Sequence, residues 1–345
     1  MDEKIYFARH SQLNGFGEQK QNMLRQASVL VIGAGGLGCP VLQYLAAAGV
    51  GKITVIDGDT VSASNLHRQV LYHSSDIGVK KVDILKERLN TSFCHLETMD
   101  AWLDENLAKD MFPSFDLIVD TSDNFATRYL VNDYCVKSGK ALVSAGIQQY
   151  EGQLSVYNYD FGNGMRSGTY RCLFPEVDMD APNCSTDGVL STAVGVLGLL
   201  QANEVIKVLT REETVLANKL LLYNVHTNEQ RIVKYRRVAG EEVDNHESVS
   251  IPSGTDLVGV SWDTLLEWET QAVPFTLIDV REEWEHAEYN KGGINIPLGE
   301  LVREISSLTA ANRLVFYCKR SERSRIAIQR LQDKGLRNEM YYVIQ

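Results

Sequence analysis

Three groups of residues in this 345-residue sequence have the types and spacing that chemistry requires. The first is Gly33-x-Gly35-x-x-Gly38, with Gly36 inside it, set between an apolar strand and a helix. Glycines let the backbone approach a phosphate closely, and a helix N-terminus offers unpaired N–H groups and the positive end of a dipole. Alone, the motif suits NAD as well as ATP, and it also suits plain tight packing of strand on helix. Asp57 or Asp59, closing the next strand, offers an acceptor for ribose hydroxyls in either case. The second group is Asn65, Arg68 and Gln69 in SNLHRQ, Lys81 at a helix start, and Asp123 and Asn124 past a strand end, with Arg128 a turn later. Hydride transfer has little use for two cations near phosphates, whereas adenylation has a clear one. There a carboxylate attacks the α-phosphorus, negative charge spreads over the phosphate oxygens and pyrophosphate departs. Arg68 and Lys81 would neutralise that charge while Asp123 holds Mg²⁺. Any one of these cations, taken singly, reads equally well as a solvated surface charge. The third group is Cys318 at a strand end, followed by Lys319, Arg320, Ser321, Glu322 and Arg323 before a helix. Such a loop wraps backbone N–H groups around the sulfur, and Arg320 and Arg323 add positive charge, which favours a thiolate and a bound persulfide. Cysteine-dependent phosphatases use a similar cysteine-to-arginine loop.

The elements that must position these residues follow from periodicity. Short continuous apolar runs at 29–32, 53–56 and 117–119 read as buried parallel strands. Helical spacing appears at Val41, Leu42, Leu45 and Ala46, at Val79, Val82, Leu85 and Leu89, and around 129–136. Alternating strands and helices predict an α/β fold, Rossmann-like, with helices on both faces of a sheet. Beyond Gly152, strands at 154–157 and 220–223 predict antiparallel members, giving a mixed sheet. The stretch 238–254 (VAGEEVDNHESVSIPSG) is polar and acidic without period and reads as a linker between a domain at 1–237 and a smaller α/β domain at 255–345. The second domain has strands at 275–278, 314–317 and 341–344.

Composition bounds the function. A formal net charge of −11 argues against a nucleic-acid partner. The polar N-terminus is no secretory signal. The longest apolar stretch, 189–200, is too short to span a bilayer and reads as a buried helix, so no membrane role is expected. Six scattered cysteines do not form a disulfide framework and suit a reducing, cytoplasmic setting.

The stretches GAGGLG (33–38), D-x-D-x-V-x-x-S-N-L-x-R-Q (57–69), G-V-K-K-V (78–82), D-T-S-D-N-F-x-T-R (120–128) and Y-R-C-L-F-P (170–175) together resemble the MoeB/ThiF family, bacterial relatives of ubiquitin-activating enzymes. The resemblance covers roughly residues 5 to 235 and implies adenylation of the C-terminal Gly-Gly carboxylate of a ubiquitin-like sulfur carrier. It further implies that Asp59, Asn65, Arg68 and Lys81 contact ATP and that Asp123 serves the Mg²⁺–phosphate chemistry. The family is dimeric, and Arg9 in YFARHSQL matches an arginine that reaches the partner's nucleotide. Cys184 matches a cysteine in a loop crossing the substrate tail. Its polar context (APNCSTDGV) suits a reactive thiol, although free cysteines are commonly small buried hydrophobes. Cys39 and Cys135, on helices with apolar neighbours, read as core. Family members often carry a zinc held by two C-x-x-C pairs, one ending at the position of Cys172. Here Thr169 begins that pair and no cysteine lies between Cys184 and Cys318, so no zinc site is expected.

The stretches LIDVR (277–281), GGINIPL (292–298) and VFYCKRSERS (315–324) resemble the rhodanese family over about residues 255 to 345. This implies a Cys318 persulfide fed by thiosulfate or a cysteine desulfurase. Rhodanese domains typically continue past a strand like 341–344 into a Gly-Gly turn and a last helix, whereas this sequence stops at Gln345, so apolar surface is expected to lack that cover. Three other readings stand beside this one: an NAD-dependent oxidoreductase, a scaffold that binds a ubiquitin-like protein without catalysis, and adenylation leading to a protein conjugate. Which metabolite receives the sulfur is not legible.

Overall fold

A computed structural model describes residues 2–89, 92–175, 188–238, 257–301, 304, 308, 313–318 and 321–344. The chain divides into two compact units, Met1–Val249 and Ser250–Gln345.

In the first unit, helices α1 (Glu3–Tyr6), α2 (Ala8–Ser11) and α3 (Gly17–Gln26) precede an eight-stranded sheet. Its strands are β1 (Ser28–Ile32), β2 (Lys52–Ile56), β3 (His95–Met99), β4 (Leu117–Asp120), β5 (Ala141–Gln148), β6 (Glu151–Tyr157), β7 (Lys219–Asn224) and β8 (Glu229–Lys234). The order is β3-β2-β1-β4-β5-β6-β7-β8, parallel from β3 to β5 and antiparallel from β5 to β8. Successive side chains point to opposite sides, and helices cover both faces of β1, β2 and β4, so both faces of these strands are buried. Val29, Val31, Ile53 and Val55 meet α4 (Gly38–Ala47), α5 (Lys81–Arg88) and α8 (Ser191–Leu209). Leu30, Ile32, Ile56 and Ile118 meet α6 (Glu105–Met111) and α7 (Phe125–Lys137) on the other side. Each such fully buried aliphatic contributes about 1.5–3 kcal/mol. The order reverses between β1 and β4, and ligands bind in the crevice beyond strand ends at such a point.

The apolar run at 189–200 is part of a longer helix than expected. After Gln201 and Glu204 the apolar pattern resumes through Val205, Ile206, Val208 and Leu209, so α8 has 19 residues, enough by length and composition to cross a membrane. Instead it lies on α4, β5 and β6. Two of its buried polar groups bond to the strands and loops it covers: Gln201 Nε2 donates to the Asp120 carbonyl (2.7 Å), and Glu204 Oε2 accepts from the Leu216 N–H (3.0 Å).

The second unit has a five-stranded parallel sheet in the order β11-β10-β12-β13-β9. Its strands are β9 (Val258–Val260), β10 (Thr276–Asp279), β11 (Ile294–Asn295), β12 (Arg313–Tyr317) and β13 (Glu339–Val343). Helices α9 (Trp262–Thr270), α10 (Glu283–Glu288) and Glu322–Asp333 accompany it. Of the proposed linker, only Val238 lies within the described residues.

Candidate functional site

The glycines of the first turn have separate jobs. Gly33 has φ +101°, where a side chain would be strained, and a Cβ on Gly38 would lie 2.4 Å from the Gly33 carbonyl oxygen. A Cβ on Gly36 would meet Val194 Cγ1 of α8 at 2.6 Å, whereas one on Gly35 would meet only Gln69 Nε2, at 3.5 Å. Ala34 is fixed on both sides: its N–H donates to Asp57 Oδ2 (2.8 Å) and its carbonyl accepts from the Tyr72 hydroxyl (2.9 Å). Burial raises the Tyr72 phenol far above its ordinary range, so it stays a donor. Among the described residues, the N–H groups of Gly35, Gly36 and Leu37 meet no acceptor. That is a cradle for an anion at the N-terminus of α4.

The polar segment after β2 closes over this cradle. Asp57 uses its second oxygen on the Asp59 N–H (2.7 Å), so it acts first as a brace between β1 and β2. Asp59 accepts from Lys81 Nζ (3.0 Å) and from the Thr60 N–H (3.0 Å). The Lys81 side chain is only 4% exposed, and one carboxylate satisfies one of its three donor positions. Asn65 Oδ1 accepts from Arg68 (2.9 Å) and the Ser64 carbonyl accepts a second bond (3.1 Å), while the Arg68 stem passes 3.7 Å from the Gly36 Cβ position. Gln69 is buried, and its Oε1 has no partner among the described residues. The sequence groups it with Asn65 and Arg68 in SNLHRQ without a specific task, and the structure adds its burial beside Gly35.

Thr121 links β4 to the same turn, its Oγ1 lying 2.8 Å from the carbonyls of both Ile32 and Gly33. Two residues on, Asp123 is exposed in the loop before α7. Asn124 Oδ1 caps α7 at the Thr127 N–H (2.8 Å), a structural task in addition to the nucleotide contact expected of it. Arg128 points inward, pairing with buried Asp120 (3.4 Å) and donating to the carbonyls of Ser122 (3.2 Å) and Ala145 (3.1 Å), which holds the Asp123 loop. Arg9 is exposed on α2. Cys184 lies outside the described residues.

Where family members carry cysteine pairs, Thr169 and Cys172 make a local capping box, with the Thr169 N–H donating to Cys172 Sγ (3.3 Å). Around it, Arg171 forms a buried two-pronged pair with Asp133 (2.7 and 2.7 Å), and the Tyr170 N–H donates to Asn132 Oδ1 (2.8 Å). Tyr129, Tyr157 and Phe174 pack on the Tyr170 ring. Among the described residues no group of three or more His, Cys, Asp or Glu could hold a metal ion. Burial lifts the Cys39 thiol to about 12 and the Cys135 thiol well above its ordinary value, in keeping with their reading as core.

In the second unit, Cys318 follows β12 and is 2% exposed. Lys319 and Arg320 lie outside the described residues. Ser321 stands in the left-handed region (φ +59°), and its hydroxyl donates to the Val343 carbonyl (2.5 Å), tying the loop to β13. Arg323 is not a bare cation, because Glu285 accepts from it twice (2.5 and 2.8 Å). Burial would raise the Glu285 carboxyl, but the Arg323 guanidinium outweighs it and holds the group below the usual carboxylate range. Buried Asp279 likewise accepts from Arg281 (2.9 and 2.6 Å) and contacts His286 Nδ1 (2.9 Å), bracing β10 to α10.

These two sites define a class: an α/β domain with an anion cradle at a strand-order reversal, joined to a small parallel α/β domain with a loop cysteine. Residues 7–244 match the ThiF family and residues 263–345 match the Rhodanese-like domain. The chain belongs to the ThiF family and carries a rhodanese-like domain. Adenylyltransferase and sulfurtransferase MOCS3 of Aedes aegypti is 35% identical over 373 aligned positions, covering 97% of this chain and 84% of that protein. Sulfur carrier protein adenylyltransferase of Thermus thermophilus is 41% identical over 257 positions, covering 72% of this chain and 95% of that protein. Among solved structures, E. coli MccB with MccA-N7isoASN superposes with a TM-score of 0.60 at 22% identity, covering 71% of this chain and 76% of that one, a likeness of fold alone.

Proposed function

We propose that the chain is an adenylyltransferase and sulfurtransferase that acts on the C-terminal Gly-Gly carboxylate of a ubiquitin-like sulfur carrier. The observation that carries this reading is the free amide cradle at Gly35, Gly36 and Leu37, flanked by Arg68 and bordered by the Lys81–Asp59 pair. ATP lays its phosphates in the cradle. A carrier carboxylate oxygen bonds to the α-phosphorus, the bond to the β-phosphate bridging oxygen breaks, and pyrophosphate leaves. Arg68 and Lys81 offset the charge that develops on the phosphate oxygens. An NAD-dependent reaction develops no new charge on phosphate and so has less use for two cations beside the cradle.

Mg²⁺ takes one or two carboxylates together with substrate phosphates, and the exposed Asp123 carboxylate suits that donor set. When bound, Mg²⁺ would screen the phosphate charges. The chain's own contribution is to hold Asp123 in place through Arg128, Asp120 and Thr121. In the second stage the outer sulfur of a Cys318 persulfide attacks the acyl carbon and AMP leaves. The Cys184 thiolate is the candidate that then attacks Cys318 Sγ, so that a Cys184–Cys318 disulfide forms as the acyl disulfide breaks and the carrier thiocarboxylate leaves; an external thiol reductant returns both cysteines to thiols for the next turnover. Thiosulfate or a cysteine desulfurase supplies the sulfur, Arg9 serves the nucleotide of a second copy in a homodimer, and a reducing cytoplasm suits the thiols. Carrier-dependent ATP–pyrophosphate exchange tests the first stage. Asp123→Ala is expected to lower it by about 10²–10³-fold, the usual cost of removing one group that stabilises transition-state charge. Undiminished exchange in that variant would remove Asp123 from the site.

A further inference from the structure

We propose that Phe7 is the anchor that holds Arg9 in place for the nucleotide of a second copy, an inference that rests on the role proposed for Arg9 above. Arg9 is exposed, and among the described residues its guanidinium has no ion pair or hydrogen bond. The residues on either side of it are tied down. Phe7, between α1 and α2, is 5% exposed. Its ring lies over Gly49, where φ is +80° and a Cβ would stand 2.4 Å from Phe7 Cζ, so backbone and ring together require glycine there. Tyr6 and Phe93 pack edge-on against the same ring, with centroids 4.7 and 5.3 Å away.

On the other side of Arg9, His10 Nδ1 donates to Gln21 Oε1 (3.0 Å), and buried Gln21 Nε2 donates to the Ala48 carbonyl (2.9 Å). The second bond fixes which end of the amide faces His10. A helix of four residues does not hold its own shape in water, so α2 takes its position from these two fastenings to the turn at 48–49. That turn follows α4, whose opposite end carries the cradle at 35–37. The ten residues of α4 span about 15 Å, so the arm is fastened at the end of α4 farther from its own chain's phosphate site. A cation with no partner of its own, held between two fixed residues and away from its own cradle, suits the phosphates of another chain. An arginine supplied in trans stabilises developing phosphate charge, and it does so best when its position is set beforehand.

ATP–pyrophosphate exchange by the full chain, with a small ubiquitin-like protein ending in Gly-Gly, tests the anchor. Arg9→Ala is expected to lower exchange about 10²–10³-fold. Phe7→Ala should lower it about 10²-fold, the order that a misplacement of about 1 Å costs. The double variant should be no slower than Arg9→Ala alone, because Phe7 acts through Arg9. Phe7→Leu, which still fills part of the socket and spares the fold, should show a smaller loss with the same non-additivity. Co-expressing Phe7→Ala, which has a sound cradle, with Arg68→Ala, which has a sound arm, should recover exchange that neither gives alone. One site of the mixed dimer then has both parts, a recovery that a misfolded chain could not provide. Full exchange in Phe7→Ala beside a defective Arg9→Ala overturns the anchor and leaves the Arg9 reading standing. A double variant far slower than Arg9→Ala overturns it too, by showing that the ring only supports the fold. No recovery on co-expression overturns it by showing that no second copy uses the arm. Full exchange in Arg9→Ala sinks both readings.

Discussion

Charge at both sites is held in pairs. Lys81 with Asp59, and Arg323 with Glu285, place a cation and an anion together in partly buried surroundings, so each side chain arrives at the site already oriented. The Arg323 pair has a measurable pH signature. Glu285 and Asp279 are both held below the usual carboxylate range, in each case because guanidinium hydrogen bonding outweighs burial. A depressed folded-state value means the stabilisation is full above the unfolded value of about 4 and is lost as pH falls through the folded value. Thermal unfolding of the second unit should therefore drop steeply on acidification below about pH 4, and Glu285→Gln should flatten that drop while lowering the melting temperature at neutral pH. An unchanged acid limb in the variant would show that Glu285 does not carry it. At this scale the sequence offers candidate residues by type, and the structure shows which neighbours each one meets. Position offers Asp57 as one of two ribose acceptors and the family resemblance implies that Asn65 contacts ATP; in the structure Asp57 also braces Ala34 and Asn65 holds Arg68. Spacing cannot show which acceptor a carboxylate or amide will meet when the competing donor lies on another element.

The elements most legible in the sequence were the buried ones. Strands β1, β2 and β4 are unbroken apolar runs because helices cover both faces. Strand β8, exposed along all six residues, and β3, with polar His95, Glu97 and Thr98, carry no such signal and were missed. Close helix packing was also out of reach, since it depends on what faces each glycine. Gly36→Ala would drive a methyl group into Val194 of α8, at a cost of about 1–3 kcal/mol. Val194→Ala in the same chain should restore most of the lost melting temperature, and failure of that rescue would mean the helix is not the obstacle. The Thr169–Cys172 region makes a sharper claim. Arg171→Ala strands a buried Asp133 carboxylate and should cost about 3–5 kcal/mol, whereas replacing both partners with apolar residues should cost far less. Calorimetric scans of the first unit decide between them. Equal losses in the single and double variants would show that packing, not the ion pair, secures this segment.

Over the whole molecule, two units with their own cores bring two chemistries onto one chain. The sequence places its division at the acidic, period-free stretch 238–254, which interrupts two separate series of strand and helix patterns and of which only Val238 lies within the described residues. Tethering raises the effective concentration of sulfur donor at an activated acyl group wherever the connecting segment can span the distance. The account therefore requires the two steps to be separable by mutation yet sequential on one carrier. The most direct measurement is the mass of the carrier after incubation with the full chain, ATP, Mg²⁺ and thiosulfate. The wild-type chain should replace one carboxylate oxygen with sulfur. Cys318→Ala should keep carrier-dependent ATP–pyrophosphate exchange and leave the carrier mass unchanged. A thiocarboxylate formed equally well without Cys318, or sulfur transferred without ATP, would contradict the account.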